Sequence, residues 1–88
     1  MDYLDQDLAV GADDTLDVTG LKCPEPLMML RNRVRSLGDD ARLYVVATDP
    51  TTRRDFQTFC RFMKHALEVD RDGAEGSLHF VIRKGGAR

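Results

Sequence analysis

Apolar positions along the chain follow two periods, and the places where one gives way to the other divide it into elements. Thr15-Leu16-Asp17-Val18 alternates, as a strand half covered on one face does. Over residues 24–37, Leu27, Leu30, Val34 and Leu37 fall on one stripe of a helix, and Gly38 behind them predicts its C′ stop. Arg42-Leu43-Tyr44-Val45-Val46-Ala47-Thr48 is a continuous, β-branched run suited to a central strand, closed by Asp49-Pro50. Phe56, Phe59, Cys60 and Met63 stand at i, i+3, i+4 and i+7 and predict the buried face of a second helix, with Thr52 and Asp55 spaced as a capping pair at its start. Residues 65–70 and 77–83 read as two strands of a hairpin around Asp72-Gly73-Ala74-Glu75-Gly76. His79, between Leu78 and Phe80, is expected to face outward, and His65 to end the helix or begin the strand.

The order βαβαββ predicts an α/β fold, a two-layer α/β sandwich in which a four-stranded mixed sheet carries two helices on one face. If the first two strands are parallel, a right-handed crossover gathers both strand ends and both helix starts at one edge and brings Asp49 near Cys23. Residues 1–14 are polar and acidic, with scattered Leu4, Leu8 and Val10 and a Gly11 that breaks any short helix. They predict a flexible acidic leader over residues 1–13 and a folded domain over 14–88.

The densest chemistry lies at Cys23-Pro24-Glu25-Pro26. Both prolines are spaced to sit in the first turn of a helix, where a missing amide hydrogen and a fixed φ cost little, which makes Cys23 the predicted N-cap. A cysteine there faces the positive end of the helix dipole, which favours thiolate and hence nucleophilic or carrier chemistry. Glu25 supplies the only early amide able to reach the sulfur, while its carboxylate repels a thiolate and limits any fall in pKa. Met28 and Met29 lie more than roughly 90° from the centre of the apolar stripe, so beside the cysteine they form either a docking surface or the cover of a satellite core. Arg31 and Arg35 share the flank nearer Met28, as part of that surface or as a solvated helix face. Cys60, on the apolar side of its helix, reads as a small core residue.

Eighty-eight residues make one small domain. The net charge of −2 conceals an asymmetry: the first twenty residues hold six Asp and no Lys or Arg, and the remainder is basic. A basic body permits contact with phosphate or an acidic protein face, yet so small a total gives weak support for sequence-independent nucleic-acid binding. The two cysteines are too far apart for a CxxC pair, and with His65 and His79 they show no metal-ligand spacing, so a reducing compartment and no metal are expected. No stretch approaches the roughly 18 apolar residues of a membrane span or the order of a secretory signal, which predicts a soluble, cytoplasmic protein.

Cys-Pro-Glu-Pro at 23–26, the Met28-Met29 pair, Arg31, Asp49-Pro50, Phe59-Cys60, Phe62-Met63, His65 and Arg83-Lys84-Gly85-Gly86 together resemble the TusA sulfur-transfer proteins, the SirA-like group, from about residue 15 to 86. The resemblance implies the same sandwich. It also implies a sulfur carrier, or sulfurtransferase, rather than a turnover enzyme on a small molecule: Cys23 accepts sulfane sulfur as a persulfide from a cysteine desulfurase or a rhodanese-like donor and passes it to an acceptor protein. Such a relay needs one exposed nucleophile and no resident cofactor beyond the transient persulfide. Pro24, Glu25, Pro26 and Asp49 match supporting positions, with Asp49 implicated in onward transfer. Met28, Arg31, Arg35, Phe62 and Met63 match the partner-facing surface. Thr48 and Lys64 stand where acidic residues are expected.

The first implied destination is 2-thiouridine in tRNA, with molybdenum-cofactor biosynthesis and dissimilatory sulfur oxidation as alternatives. No direct tRNA contact, no membrane contact and a monomeric free state are expected. Three other readings use different residues. Gly85-Gly86 suggests a ubiquitin-like thiocarboxylate carrier, but Ala87-Arg88 follow it; a thiol redox enzyme would need a cysteine where Pro26 stands. Arg53, Arg54, Arg61 and Lys64 suggest a small RNA-binding or regulatory module, for which a solvated helix face is the plainer account.

Overall fold

The computed structural model describes residues 4–87; the first three residues of the expected leader, and Arg88, lie outside them. In chain order the elements are α1 (Gln6–Val10), β1 (Asp14–Val18), α2 (Glu25–Arg35), β2 (Arg42–Ala47), α3 (Thr52–Met63), β3 (Ala66–Asp72) and β4 (Leu78–Arg83), with a 3₁₀ turn over Ala74–Gly76. The sheet order is β1-β2-β4-β3. β1 runs parallel to β2, in a register from Asp14 opposite Leu43 to Val18 opposite Ala47, and β4 pairs antiparallel with both β2 and β3. This is the expected βαβαββ sandwich, and its apolar run is central as its composition requires.

Period two explains the packing. Leu43, Val45 and Ala47 of β2 join Leu78, Phe80 and Ile82 of β4 on the face covered by α2 and α3, which contribute Leu30, Val34, Phe56 and Cys60. The intervening Tyr44, Val46 and Val81 point to the opposite face and are buried as well. Their cover is the amino-terminal segment: Leu4, Leu8, Ala9 and Ala12 pack against them, together with Val69. The expectation of a leader free of the body is therefore corrected over residues 4–13. Asp5 caps α1 by accepting hydrogen bonds from the Asp7 and Leu8 amides, its own amide donates to the Tyr44 hydroxyl, and its carboxylate pairs with Arg71.

His79, expected outward, is buried under this cover. A directed chain satisfies both ring nitrogens. The Tyr44 hydroxyl, which accepts from Asp5, lies 2.6 Å from Nδ1, and Nε2 lies 2.9 Å from the Ser77 hydroxyl, which donates to the Ala74 carbonyl. That sequence of donors fits neutral histidine with its proton on Nε2. Gly73 passes so close that a Cβ there would collide with the His79 ring and the Ser77 hydroxyl.

Helix ends depart from expectation in local ways. α2 stops at Arg35 with Ser36 as its cap, so Gly38 falls beyond the terminus, in a turn closed by the Ala41 amide on its carbonyl. α3 ends on Lys64 in the left-handed region (φ 60°), and Met63, expected in the core, is half exposed in the turn just before that cap. His65 is buried beside Phe59, and its Nδ1 accepts from the Gly85 amide. Among the described residues no helix is long and apolar enough to cross a membrane.

Candidate functional site

The parallel register of β1 and β2 delivers both crossovers to one sheet edge. After β1 the chain turns through Gly20, whose φ of 81° requires glycine, and the Gly20 amide donates to the Thr48 hydroxyl at 2.9 Å. Thr48 thus ties the two crossovers together where an acid was expected. Beyond Leu21 a turn closes with the Glu25 amide on the Lys22 carbonyl, 2.9 Å away. The Met28 amide bonds to the Pro24 carbonyl, so Pro24 opens the hydrogen-bond ladder and is the N-cap of α2. Cys23 precedes the cap, across a cis peptide bond, and Pro26 sits in the first turn, buried. The expectation of an N-cap cysteine on α2 is corrected: the Glu25 amide is taken by the turn and does not reach the sulfur.

The sulfur instead faces the start of α3. Asp49 Oδ2 accepts the Cys23 amide at 2.7 Å, and Oδ1 accepts both the amide and the hydroxyl of Thr51, each at 3.0 Å. These donors hold the Asp49 carboxyl below its usual range, the Cys23 amide first and then Thr51. Cys23 Sγ lies 3.5 Å from Asp55 Oδ2. The thiol is pushed up rather than down, first by loss of solvent around an otherwise exposed sulfur and next by the hydrogen bond and charge of Asp55; Asp49 adds to this and Thr51 opposes it. Thr52 and Asp55 do not form a capping pair. Thr52 is buried, its hydroxyl without a hydrogen-bond partner among the described residues, and Asp55 has turned to the cysteine.

A groove of about 610 Å³ runs from Asp55 between α2 and α3. Leu27, Val34, Phe59, Phe62 and Met63 line it with Arg31, Arg35 and Lys84. Phe62 is 83% exposed, far more than a large aromatic side chain at rest in a core. Met28 and Met29 are exposed on the same helix but do not line the groove. Arg53, one of four cations of the alternative RNA-binding reading, is neutralised by Asp70 and Asp72.

A protein-family model for the sulfurtransferase TusA matches residues 14–84. The chain belongs to the TusA family. A sulfur carrier protein TusA of Pseudomonas paraeruginosa is 49% identical over 72 residues, which cover 82% of this chain and 91% of the relative. The sulfur carrier protein TusA of Pseudomonas fluorescens is 51% identical over the same length, 86% of its own. The crystal structure of a SirA-like protein from Desulfitobacterium hafniense superposes with a TM-score of 0.74 at 22% identity, covering 82% of this chain and 97% of that one, which shows the fold.

Within this TusA-family chain, Cys23, Pro24, Glu25, Pro26 and Asp49 converge at the sheet edge. Arg31, Arg35, Phe62 and Met63 converge along the groove that begins beside them. Asp55 and Thr51 were missed at the sulfur. The available signal was the crossover itself, which puts the first turn of the second helix, and not only the Asp49-Pro50 corner, beside Cys23. Among the described residues no three His, Cys, Asp or Glu side chains gather as metal ligands.

Proposed function

We propose that this chain carries sulfane sulfur as a persulfide on Cys23, from a cysteine desulfurase or rhodanese-like donor to an acceptor protein, with 2-thiouridine in tRNA as the destination. The contrast between its two cysteines carries this reading. Cys23 is exposed, with its backbone clamped by Asp49, whereas Cys60 is 2% exposed and burial pushes its thiol to about 12. In loading, the Cys23 sulfur attacks the outer sulfur of the donor's persulfide. A new S–S bond forms, the donor's S–S bond breaks, and its electron pair leaves on the donor's cysteine, which takes up the proton lost from Cys23. No net oxidation occurs. Delivery repeats the exchange with the acceptor's thiolate attacking and Cys23 leaving.

Met28, Arg31, Arg35, Phe62 and Met63 supply a docking face: apolar side chains for contact area, arginines for steering an acidic partner. The names of the relatives support the carrier role, and the chain's own match to the family over the Cys-Pro-Glu-Pro segment supports Cys23 as its atom. Sulfur-loaded protein mixed with candidate acceptors tests the destination. Fastest loss of sulfur to the acceptor of the tRNA-thiolation relay is expected; preference for an acceptor from molybdenum-cofactor biosynthesis or sulfur oxidation would overturn that destination.

A further inference from the structure

Asp55 stands in the first turn of α3, where an acid complements the helix dipole, but among the described residues its side chain is given to no cap and no cation. Its amide is satisfied by the Thr51 carbonyl, it forms no ion pair among the described residues, and its carboxylate is 3.5 Å from the Cys23 sulfur. Other charged groups stand around that sulfur and the groove beside it, Glu25 in the first turn of α2 and Lys84 among them. Asp49 is engaged by the Cys23 amide and Thr51, Lys22 lies close enough to act on Asp49, and Arg31 and Arg35 of α2 line the groove that Asp55 shares.

We propose that Asp55 is a further working residue of the relay, the group that takes the hydrogen bond of the resting Cys23 thiol and so sets how readily the sulfur reacts. This rests on the carrier reading above. A carboxylate accepting from S–H and carrying like charge favours the thiol over the thiolate, and only the thiolate attacks. At rest the sulfur is thereby guarded against oxidants and stray electrophiles. On loading, Sγ gives up its proton and bonds to the incoming sulfur, so negative charge moves outward by one S–S bond, about 2 Å. Asp55 therefore penalises the empty thiolate more than the loaded persulfide. On delivery the acceptor's thiolate attacks the outer sulfur, the electron pair of the Cys23 S–S bond returns to Sγ, and solvent protonates it beside Asp55. The empty carrier is again a thiol, slow to take its sulfur back.

The test is the pH profile of Cys23 alkylation by iodoacetamide in the full chain, read by peptide mass so that Cys60 does not contribute. Asp55→Asn moves the profile to lower pH and raises the rate at pH 7 by at least about twofold, and Asp55→Glu restores the original order. Asp55→Ser, which removes the carboxylate and keeps a small polar group in that turn of the helix, moves the profile in the same direction as Asp55→Asn. An unchanged profile in a folded Asp55→Asn chain overturns the proposal; should that variant not fold, an unchanged or upward-shifted profile in Asp55→Ser does so. No donor protein enters this measurement, so failure of desulfurase loading with the profile shifted as described rejects the carrier reading alone.

Discussion

Both oxygens of Asp49 are taken, Oδ2 by the Cys23 amide and Oδ1 by the amide and hydroxyl of Thr51 two residues on, which makes this side chain a clamp on the Cys23 backbone. Family resemblance assigns the position to delivery, an effect expected to spare loading. The clamp argues for a different outcome. Asp49→Ala frees the segment that presents the sulfur, and single-turnover measurements of each step should show loading and delivery slowed together, by about tenfold, as for other losses of positioning. Loading at the original rate with delivery alone impaired would restore the acceptor-specific role. The approach of Asp49 to Cys23 was legible because it follows from chain direction and crossover hand. The orientation of the sulfur was not. Thr52 and Asp55 at a spacing of three look like a cap and its partner, and only the ordered turn from Lys22 to Glu25 aims the cysteine at α3 instead of α2.

The two long helices, α2 and α3, were legible from period; their last turns were not. Phe56 and Cys60 bury as the i, i+4 spacing requires and Phe59 is partly buried against them, but Met63 continues that pattern into the open groove and emerges half exposed beside Phe62. A periodicity argument assumes that something lies under every turn. What the emergence produces is an exposed apolar ledge flanked by Arg31 and Arg35. Phe62→Ala should weaken donor or acceptor binding about tenfold, the loss typical of a central aromatic contact, with stability changed by less than about 0.5 kcal/mol. Binding isotherms and melting curves on the same sample check both halves; unaltered affinity would return Phe62 to a solvated position.

For the whole molecule, the second face of the sheet decides how the chain is bounded. Tyr44, Val46 and Val81 were visible as apolar residues in a continuous run, and strands apolar on both faces need cover on both. The five-residue α1 hid that cover because its apolar content is too sparse to register as a helix by itself, and it is ordered by tertiary contact. A chain beginning at Asp14 should lose on the order of 2 kcal/mol of stability by re-exposing that face. Identical denaturation midpoints would show that the segment contributes nothing. The cover also sets a pH response. Burial holds His79 below the ordinary histidine value of 6.5, with Arg71 in the same sense and Asp5 opposing. The unfolded chain therefore takes up this proton first as pH falls, so the contribution is complete above about 6.5 and is lost as pH falls through the folded value. Melting temperature should decline in that window, and His79→Gln should flatten the decline; a histidine variant with the full decline would place its origin elsewhere.

Both steps of the proposed relay pass through one atom, the Cys23 sulfur. Incubating the protein with a cysteine desulfurase and free cysteine, then weighing it intact, measures that directly. The original chain and Cys60→Ser should each gain the mass of one sulfur atom, reversible by a thiol reductant, and Cys23→Ser should gain none. A gain that survives in Cys23→Ser and disappears in Cys60→Ser would contradict it.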